Sequence, residues 1–413
     1  MNHQMESSIQ HKAPLEGLKI LDLSVAWMGP ETGRIMASFG AEVIKVESIF
    51  QHEIGRVSAP YKKNVTGINH SLCFAAFNTG KYSVTLNLKH PRSTEVLNKL
   101  ISRTDIILEN FVPGVAEKYG LDYENLRKLK PDIIDVSLST QGLTGPYSMH
   151  PGYGFQLLAL GGFSNFTGWP DREPCAPVGS YTDFLCPWFA VSAAMSALDY
   201  RLCTGKGQHI DVSQLEISPQ FYIPAILDYT ANNRIQARNG NRSPHASPYG
   251  AYRCQGDDRW CVISVFNHTE WESFCRVIGS PEWTNDAKFS TLSGRKDNED
   301  EMDKLVEAWT VFFTPEEVMS MMQASGVASG IVQTVKDMAY DPQLNHRGHF
   351  QIMEHAEMGT HICEGIGFHL SKYQLEWTRP APCLGEHNEF VYTKLLGMSE
   401  DDFIDLLNDG LFE

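Results

Sequence analysis

The residue whose surroundings point most directly to chemistry is Asp183, in the stretch Tyr181-Thr182-Asp183-Phe184. It precedes a run of small and apolar residues, 189–198, that favours a tightly packed helix. A carboxylate near a helix start with apolar neighbours is a candidate for chemistry. The alternative is that Asp183 only caps that helix, and the local sequence leaves both interpretations open.

A second feature is the segment 140–182, which is rich in glycine, proline and aromatic residues. This composition predicts loops around an apolar space, directly ahead of Asp183. A substrate cavity requires such a space, but loop aromatics packed against one another give the same composition. The segment alone does not separate these two interpretations.

The elements that position these residues alternate between strands and helices, which is typical of a doubly wound α/β layer structure. Ligands bind at the carboxyl ends of the strands in such sheets, and the first strand leads into Met28-Gly29-Pro30. This turn lacks the G-x-G-x-x-G fingerprint, so a redox dinucleotide is not the favoured ligand. The predicted strands are 18–24, 42–47, 82–88, 105–111, 133–139 and 209–213.

The character of the chain changes after a region rich in asparagine, arginine and glycine near residue 240. Strand-like runs and a turn at 256–258 there predict a small α+β domain that begins with a hairpin. We predict a disordered lead-in at 1–13, the first part of a large domain at 14–215, a linker at 216–248, the small domain at 249–335, and a return arm with C-terminal helices at 336–413.

Charge and composition exclude several classes of protein. The net charge of −16 and the pI near 5.4 repel nucleic acid, so a phosphate-bearing ligand needs a local basic pocket. No apolar run approaches the roughly 18 residues of a membrane span, and the first residues do not form a signal peptide, so we expect a soluble cytoplasmic protein. The nine cysteines are scattered without a C-x-x-C pair, so we expect neither a metal site nor disulfides.

Several motifs, weak individually but specific in their order, resemble the class III CoA-transferases. That family includes carnitine, formate and benzylsuccinate CoA-transferases, with the α-methylacyl-CoA racemases as a sister group. The resemblance extends over most of the chain. Its elements are Leu15-Glu-Gly-Leu-Lys-Ile-Leu-Asp-Leu-Ser24, Gly40-Ala-Glu-Val-Ile-Lys-Val-Glu47, Asn78-Thr-Gly-Lys81, Glu109-Asn-Phe-Val-Pro-Gly114, Thr144-Gly-Pro146, Thr204-Gly-Lys-Gly-Gln208 with Asp211, Trp271-Glu-Ser-Phe-Cys275 and Asp341-Pro-Gln-Leu344.

The resemblance implies an interlocked dimer, in which a Rossmann-like large domain built from both chain ends accompanies a smaller central α+β domain. It implies transfer of CoA from an acyl-CoA, for example succinyl-CoA, to an acceptor carboxylic acid. Asp183 is implied as the nucleophile, which forms an anhydride and then an aspartyl-CoA thioester. CoA is then a co-substrate, and no metal is implied.

The resemblance also implies binding positions. Lys81 and Arg56 are expected to bind the phosphates of CoA and so to supply the local basic pocket. The aromatic residues between 147 and 169, with Trp27 at the first turn, favour a bulky or aromatic acceptor, although core packing explains them equally well. The departure from the family pattern at Thr140-Gln141-Gly142 is a candidate determinant of substrate specificity. The remaining positions are Met28, Gly29, Asn110 and Phe111 for CoA, and Trp27, Gln141, Tyr153 and Phe163 for the substrate pocket.

Two alternatives to a CoA-transferase stay open. An acyl-CoA racemase shares the fold, but Tyr153 stands where racemases place a catalytic histidine, which argues for transfer. A catalytically silent subunit is the other alternative, because Pro187 replaces a glycine that often follows the nucleophile at this spacing. The expected assembly is accordingly a homodimer or a heteromer with a homologous subunit.

Overall fold

A computed structural model describes residues 13–177 and 179–413. The chain divides into two compact units. The large unit comprises Met1–Asn165, Ala176–Gln236 and Asn345–Glu413, and the small unit comprises Phe166–Cys175 and Ala237–Leu344. The small unit therefore begins before the predicted position 249, and it includes a short segment from the region ahead of Asp183.

The large unit is built around a six-stranded parallel sheet with the order β3-β2-β1-β4-β5-β6. All six strands coincide with predicted strands, although most are shorter. They are β1 (Lys19–Asp22), β2 (Glu42–Glu47), β3 (Tyr82–Thr85), β4 (Ile106–Glu109), β5 (Ile134–Ser139) and β6 (Gln208–Ser213). The register places Leu21 of the central strand between Ile44 and Ile107. The α/β class is thus confirmed.

Helices cover both faces of this sheet, as a doubly wound structure requires. Residues of α3 and α5 pack on one face and residues of α1 and α8 on the other. The helices between residues 28 and 232 are α1 (Met28–Ser38), α2 (Leu72–Asn78), α3 (Ser93–Arg103), α4 (Val115–Lys118), α5 (Tyr123–Leu129), α6 (Gly154–Leu160), α7 (Phe163–Phe166), α8 (Tyr181–Thr204), α9 (Gln214–Ile217) and α10 (Ile223–Asn232). Single 3₁₀ turns occupy Ile54–Val57, Lys62–Asn64 and Ser218–Phe221. The region predicted as loops, 140–182, therefore contains α6 and α7.

Alternation along the strands separates two cores, because successive side chains of a strand point to opposite faces. Leu21 contributes to the core that contains residues of α3 and α5, whereas Ile20 contributes to the core that contains residues of α1 and α8. The second core includes Ala190, Ala194 and Ala197, all fully buried. These small side chains allow α8 to lie close to the sheet, which positions the start of α8 near the carboxyl ends of the strands.

The small unit has its own sheet and core. Its antiparallel strands β7 (Tyr249–Arg253), β8 (Trp260–Ser264) and β9 (Ala328–Ile331) follow in that order, and β7 and β8 form the predicted hairpin. The core packs aromatic residues such as Trp271 and Phe274. The helices are α11 (His268–Val277), α12 (Leu292–Asp297), α13 (Glu299–Thr310), α14 (Pro315–Ala324), α15 (Val335–Ala339) and, at the boundary of the units, α16 (Pro342–His346), with 3₁₀ turns at Glu282–Asn285 and Ala287–Phe289.

The last part of the chain returns to the large unit. It forms the hairpin β10 (Phe350–His355) and β11 (Gly359–Glu364), one turn of π-helix at Phe390–Leu395, and α17 (Glu400–Asn408). Buried residues from this part, including Tyr392 and Phe412, join the core formed by Val84 and Leu86. Both ends of the chain thus build the large unit, while the interlocked dimer stays a prediction.

Within residues 13–177 and 179–413, no helix has both the length and the apolar surface needed to cross a membrane. Over the same residues, no group of three or more potential metal ligands comes together. All nine cysteines are free thiols.

Candidate active site

Asp183 lies in the first turn of α8, and the helix begins earlier than the small-residue run indicated. The residue in the N-cap position is Ser180, whose carbonyl accepts a hydrogen bond from the Asp183 amide at 2.7 Å. The carboxyl of Asp183 bonds a different part of the chain. Asp183 is therefore not simply the cap of this helix.

Three separate segments meet at the half-buried Asp183 carboxyl. Gln214 at the start of α9 donates from Nε2 to Asp183 Oδ1 at 2.5 Å, and the same nitrogen lies 3.1 Å from Met28 Sδ. A Cβ atom on Gly154 of α6 would lie 2.7 Å from Asp183 Oδ2, so the backbone of α6 approaches the carboxyl closely. The carboxyl is thus held between the start of α1, the start of α6 and the end of β6.

The electrostatics of Asp183 come from two opposing effects. Burial raises its pKa above the ordinary value, while hydrogen bonds from Gln214 and Ser180 lower it. Nearby Cys186 is fully buried, and this burial, with the charge of Asp183, raises the pKa of its thiol to about 12. Cys186 is therefore a neutral thiol at physiological pH, which leaves the Asp183 carboxyl as the candidate nucleophile at this point.

The turn between β1 and α1 is tightly constrained. The Asn110 side chain accepts from the Val25 amide at 2.9 Å and donates to the Val25 carbonyl at 2.8 Å. A Cβ atom on Gly29 would lie 2.2 Å from the Cβ of Ser24, so only glycine fits there. Asn110 therefore shapes the turn that carries Met28 and Gly29.

The side chain of Phe111 lies apart from that of Asn110. Its amide donates to Glu109 Oε2 at 2.6 Å, and its ring is partly buried against the core on the α3 and α5 side of the sheet. That core lies on the sheet face opposite the one that packs against α8. The structure thus separates the Phe111 ring from Asp183.

Aromatic side chains flank the start of α8. Phe77 lies 6.0 Å from Trp27 and 5.9 Å from Phe184, measured between ring centroids. On another side, Phe163 lies 5.5 Å from Tyr181 and 5.4 Å from Tyr222. Of the predicted pocket residues, Phe163 therefore contacts the segment that carries Asp183 directly, and Trp27 is connected to it through Phe77.

The other two predicted pocket residues are on the polypeptide leading to the same region. Tyr153 is exposed and precedes Gly154 as the N-cap residue of α6, where its amide donates to Gln156 Oε1 at 3.1 Å. Gln141 is half-buried in the loop that follows β5. Both remain candidates for contacts with the acyl group.

Lys81 and Arg56, expected to bind phosphate, are instead parts of the scaffold. Lys81 is 0% exposed, and its ammonium contacts Asp22 Oδ2 at 2.7 Å, the Pro30 carbonyl at 2.7 Å and Asn78 Oδ1 at 2.9 Å. An ammonium has three N–H donors, so this set leaves none for a phosphate.

Arg56 is 1% exposed and is bound in the same way. Its guanidinium forms two hydrogen bonds of 2.7 Å to the carboxylate of Glu47, and it also donates to Asn69 Oδ1 at 3.0 Å. A bidentate pair of this kind is a strong buried contact that a ligand would have to break. The basic pocket that the sequence required is therefore not formed by Arg56 or Lys81 in this structure.

Sequence reasoning missed Gln214, Gly154 and Phe77. Gln214 directly follows a strand of the parallel sheet, and ligands bind at the carboxyl ends of such strands, so this position could have identified it. Gly154 and Phe77 carry no such signal, because their closeness to Asp183 depends on how distant segments fold together.

Comparison with known proteins decides the family. The sequence model described as CoA-transferase family III matches residues 15–388, which is most of the chain. This chain belongs to CoA-transferase family III. The resemblance drawn from the motifs is confirmed, and the chain is an enzyme of the CaiB/BaiF type for which CoA is implied as co-substrate.

Curated relatives of this family III chain match it nearly end to end. The succinyl-CoA–D-citramalate CoA-transferase of Chloroflexus aurantiacus is 33% identical, covering 96% of this chain and 97% of its own length. The succinate–glutarate CoA-transferase of Agrobacterium fabrum is 30% identical, covering 93% and 96%. The crystal structure of a CaiB/BaiF family protein from Brucella suis superposes with a TM-score of 0.86 at 30% identity, covering 93% of this chain and 100% of that one.

Proposed function

We propose that this family III chain takes CoA from succinyl-CoA or a closely related acyl-CoA and transfers it to a second carboxylic acid through Asp183. The observation that carries the proposal is the Asp183 carboxyl, which is half-buried and held by Gln214 beside the β1–α1 turn. The two relatives described above support the choice of donor, since their names pair succinate or its CoA ester with another acid.

A carboxylate suits this reaction because it conserves the energy of the thioester. Asp183 attacks the donor carbonyl to form a mixed anhydride and release CoA thiolate. The thiolate attacks the anhydride at the aspartyl carbon, which breaks the anhydride C–O bond, releases the donor acid and leaves an aspartyl-CoA thioester. The acceptor carboxylate then repeats these steps in reverse order. Each intermediate hydrolyses in water, so a partly buried nucleophile favours transfer over hydrolysis.

The remaining residues take supporting roles in this proposal. Met28 and Gly29 at the start of α1 hold the thioester end of CoA, because the Gln214 side chain links Met28 to Asp183. Asn110 keeps their turn in shape. Phe111 follows it at the end of β4, with its ring on the other face of the sheet. The acyl groups lie against the positions predicted for the substrate pocket, which are Trp27, Gln141, Tyr153 and Phe163.

The acceptor is proposed as a carboxylic acid, and its size is left to experiment. The aromatic rings near Asp183 contact one another at centroid distances of 5.4–6.0 Å, so ring packing accounts for them without an aromatic acceptor. We therefore expect a panel of acids with succinyl-CoA to separate short dicarboxylates from bulky aryl acids. Mass spectrometry of the CoA esters identifies which acceptor is used.

Replacing the nucleophile tests the proposal. We expect Asp183→Asn to fold normally and to lose CoA transfer, because an amide cannot attack the thioester at a useful rate. The measurement is transfer from succinyl-CoA to labelled succinate, an exchange that requires no knowledge of the acceptor. The matched control is Asp199→Asn, which changes an exposed carboxylate on the same helix and should keep wild-type exchange. Near wild-type exchange by folded Asp183→Asn would refute the role of Asp183.

A further inference from the structure

Gln214 occupies the position directly after strand β6. Ser213 ends that strand and caps α9 by accepting a hydrogen bond from the Glu216 amide at 3.3 Å. Gln214 is the first residue of α9 and is only 2% exposed. Because β6 and β1 belong to one parallel sheet, Gln214 and Met28 both lie at its carboxyl edge.

The amide nitrogen of Gln214 is directed at the candidate active site. Nε2 lies 2.5 Å from Asp183 Oδ1 and 3.1 Å from Met28 Sδ. Ionised carboxylate oxygens only accept hydrogen bonds, so the side chain presents its NH₂ group and not its oxygen to Asp183. With contacts to both partners, this donor is oriented by the protein itself.

The second oxygen of the Asp183 carboxyl has a different neighbour. A Cβ atom on Gly154 would lie 2.7 Å from Oδ2 and 2.4 Å from Ser180 Oγ, so the absence of a side chain at residue 154 leaves room for both groups. Oδ1 is thus the oxygen bound by the Gln214 amide, and Oδ2 is the oxygen on the side of the Gly154 backbone and the Ser180 side chain. The two oxygens of the carboxyl are not equivalent.

We propose that Gln214 is a catalytic residue, whose N–H group donates to Asp183 Oδ1 in the free carboxylate and in the tetrahedral intermediates formed at the Asp183 side-chain carbonyl carbon, Cγ. The inference rests on the proposed function, in which Asp183 is the nucleophile. It adds a second residue to that site, one that stabilises charge and does not itself form a bond.

The bonds made and broken place the charge on Oδ1. Oδ2 bonds to the donor acyl carbon, and the thioester C–S bond breaks to release CoA thiolate. The thiolate attacks Cγ, and an electron pair of the carbonyl moves onto Oδ1. Collapse of this intermediate restores the carbonyl, breaks the Cγ–Oδ2 bond and releases the donor acid, which leaves the aspartyl-CoA thioester.

The second half of the reaction uses the same oxygen. An oxygen of the acceptor carboxylate attacks Cγ, charge again develops on Oδ1, and the thiolate leaves. The thiolate then attacks the acceptor carbonyl carbon, which releases the product acyl-CoA and the free Asp183 carboxylate. A hydrogen-bond donor held in place before the charge develops is the arrangement that stabilises an oxyanion.

The test follows formation of the CoA adduct on Asp183 when the full chain is mixed with succinyl-CoA alone. Gln214→Met removes the N–H groups at similar side-chain length. We expect adduct formation to be slower by about 10²–10³-fold, with the Kd for succinyl-CoA unchanged, because the donor acts on the transition state. Rapid quenching and mass spectrometry of the peptide containing Asp183 give the rate.

Gln323→Met is the matched control, because the Gln323 amide donates to the Ser329 carbonyl at 2.9 Å within the small unit and should not affect the rate. Gln214→Glu keeps the side-chain shape but lacks the NH₂ group, so it should also slow adduct formation. This variant replaces Gln214→Met in the test if the methionine variant does not fold. Wild-type adduct formation in a folded Gln214 variant overturns this inference alone. Failure of the wild-type chain to form an adduct on Asp183 overturns the proposed function and the inference with it.

Discussion

Single residues near the start of α8 determine how reactive the Asp183 carboxyl is. Burial favours its neutral form, and the hydrogen bonds from Gln214 and Ser180 favour its charged form. Among the residues that the structure describes, no cation contributes to the shift of this pKa, and α6 carries no titratable side chain. The groups that oppose the effect of burial on the pKa of Asp183 are therefore neutral hydrogen-bond donors.

This balance predicts the pH dependence of the reaction. Only ionised Asp183 attacks, and its pKa is raised by burial, so activity should fall on acidification at a pH above the ordinary aspartate value of 3.8. Removing the Gln214 donor should raise this pKa further, so the acid limb of kcat/KM against pH should move to higher pH in Gln214→Met. The profile is measured between about pH 4 and pH 8.

Gln323→Met should keep the wild-type profile, since its amide is not at the site. An acid limb at the same pH in Gln214→Met and in the wild-type chain would contradict the assigned effect of Gln214 on the Asp183 carboxyl.

Among the secondary-structure elements, the β1–α1 turn depends on a buried ion pair beneath it. Lys81, which follows α2, reaches Asp22 at the end of β1, and burial lowers the pKa of Lys81 to about 8 despite this partner. The positive charges of Lys45 and Lys81 hold the pKa of Asp22 down to about 2 although its burial acts in the opposite direction. Lys45 in turn donates to the Ser24 carbonyl at 2.8 Å. These contacts join three elements under the candidate active site.

Lys81→Met should therefore lower the free energy of unfolding by about 3–5 kcal/mol at pH 7, because Asp22 is left buried without its partner. Chemical denaturation measures the loss. Lys99→Met is the control, since Lys99 only contacts Glu95 on the surface at 3.3 Å and should change stability by less than about 0.5 kcal/mol.

The same variant separates the two roles considered for Lys81. A phosphate-binding lysine would raise KM for acyl-CoA without loss of stability, whereas a scaffold lysine loses stability. Unchanged stability in Lys81→Met with a raised KM would restore the role first expected from the sequence.

The contribution of Asp22 to the free energy of unfolding should decrease on acidification. Asp22 has a pKa of about 2 in the folded chain, below its ordinary value of 3.8, so its contribution is present above about pH 3.8 and is lost as the pH falls through about 2.

The stability of the whole molecule depends on the end of the chain, which completes a core of the large unit. Phe412 is 3% exposed, and its ring stacks on Tyr392 at 4.2 Å and on Phe403 at 5.2 Å. The hydroxyl of Tyr392 donates to the carbonyl of Thr85 in β3 at 2.8 Å. The last residues are therefore part of the core next to the sheet.

Phe412→Ala should destabilise the chain by about 3–5 kcal/mol, because it removes a buried ring and leaves a cavity in this core. Urea denaturation gives the value. Phe312→Ala, which truncates a ring that is 74% exposed in the small unit, should change stability by less than about 0.5 kcal/mol. Equal stability of the two variants would show that the chain end is dispensable for the core.

The sequence alone was sufficient for the elements that depend on local pattern. Apolar runs located all six strands of the main sheet, and the turn at 256–258 located the hairpin of the small unit. Ordered motifs identified the family and singled out Asp183. The strands, the hairpin and the family were confirmed because strand periodicity and each motif involve neighbouring residues, and the order of the motifs is read directly from the chain.

The tertiary structure decided the partners of charged and polar side chains. Lys81 bonds Asp22, 59 positions earlier, and Gln214 bonds Asp183, 31 positions earlier, and neither pairing has a local signature. From the sequence alone, a lysine in a turn is expected to be an exposed cation. In the structure, packing places the Asp22 carboxylate against Lys81 and buries both groups. The sequence therefore singled out Asp183, but only the fold determined that the Gln214 amide holds its carboxyl and that Lys81 and Arg56 pair with buried carboxylates.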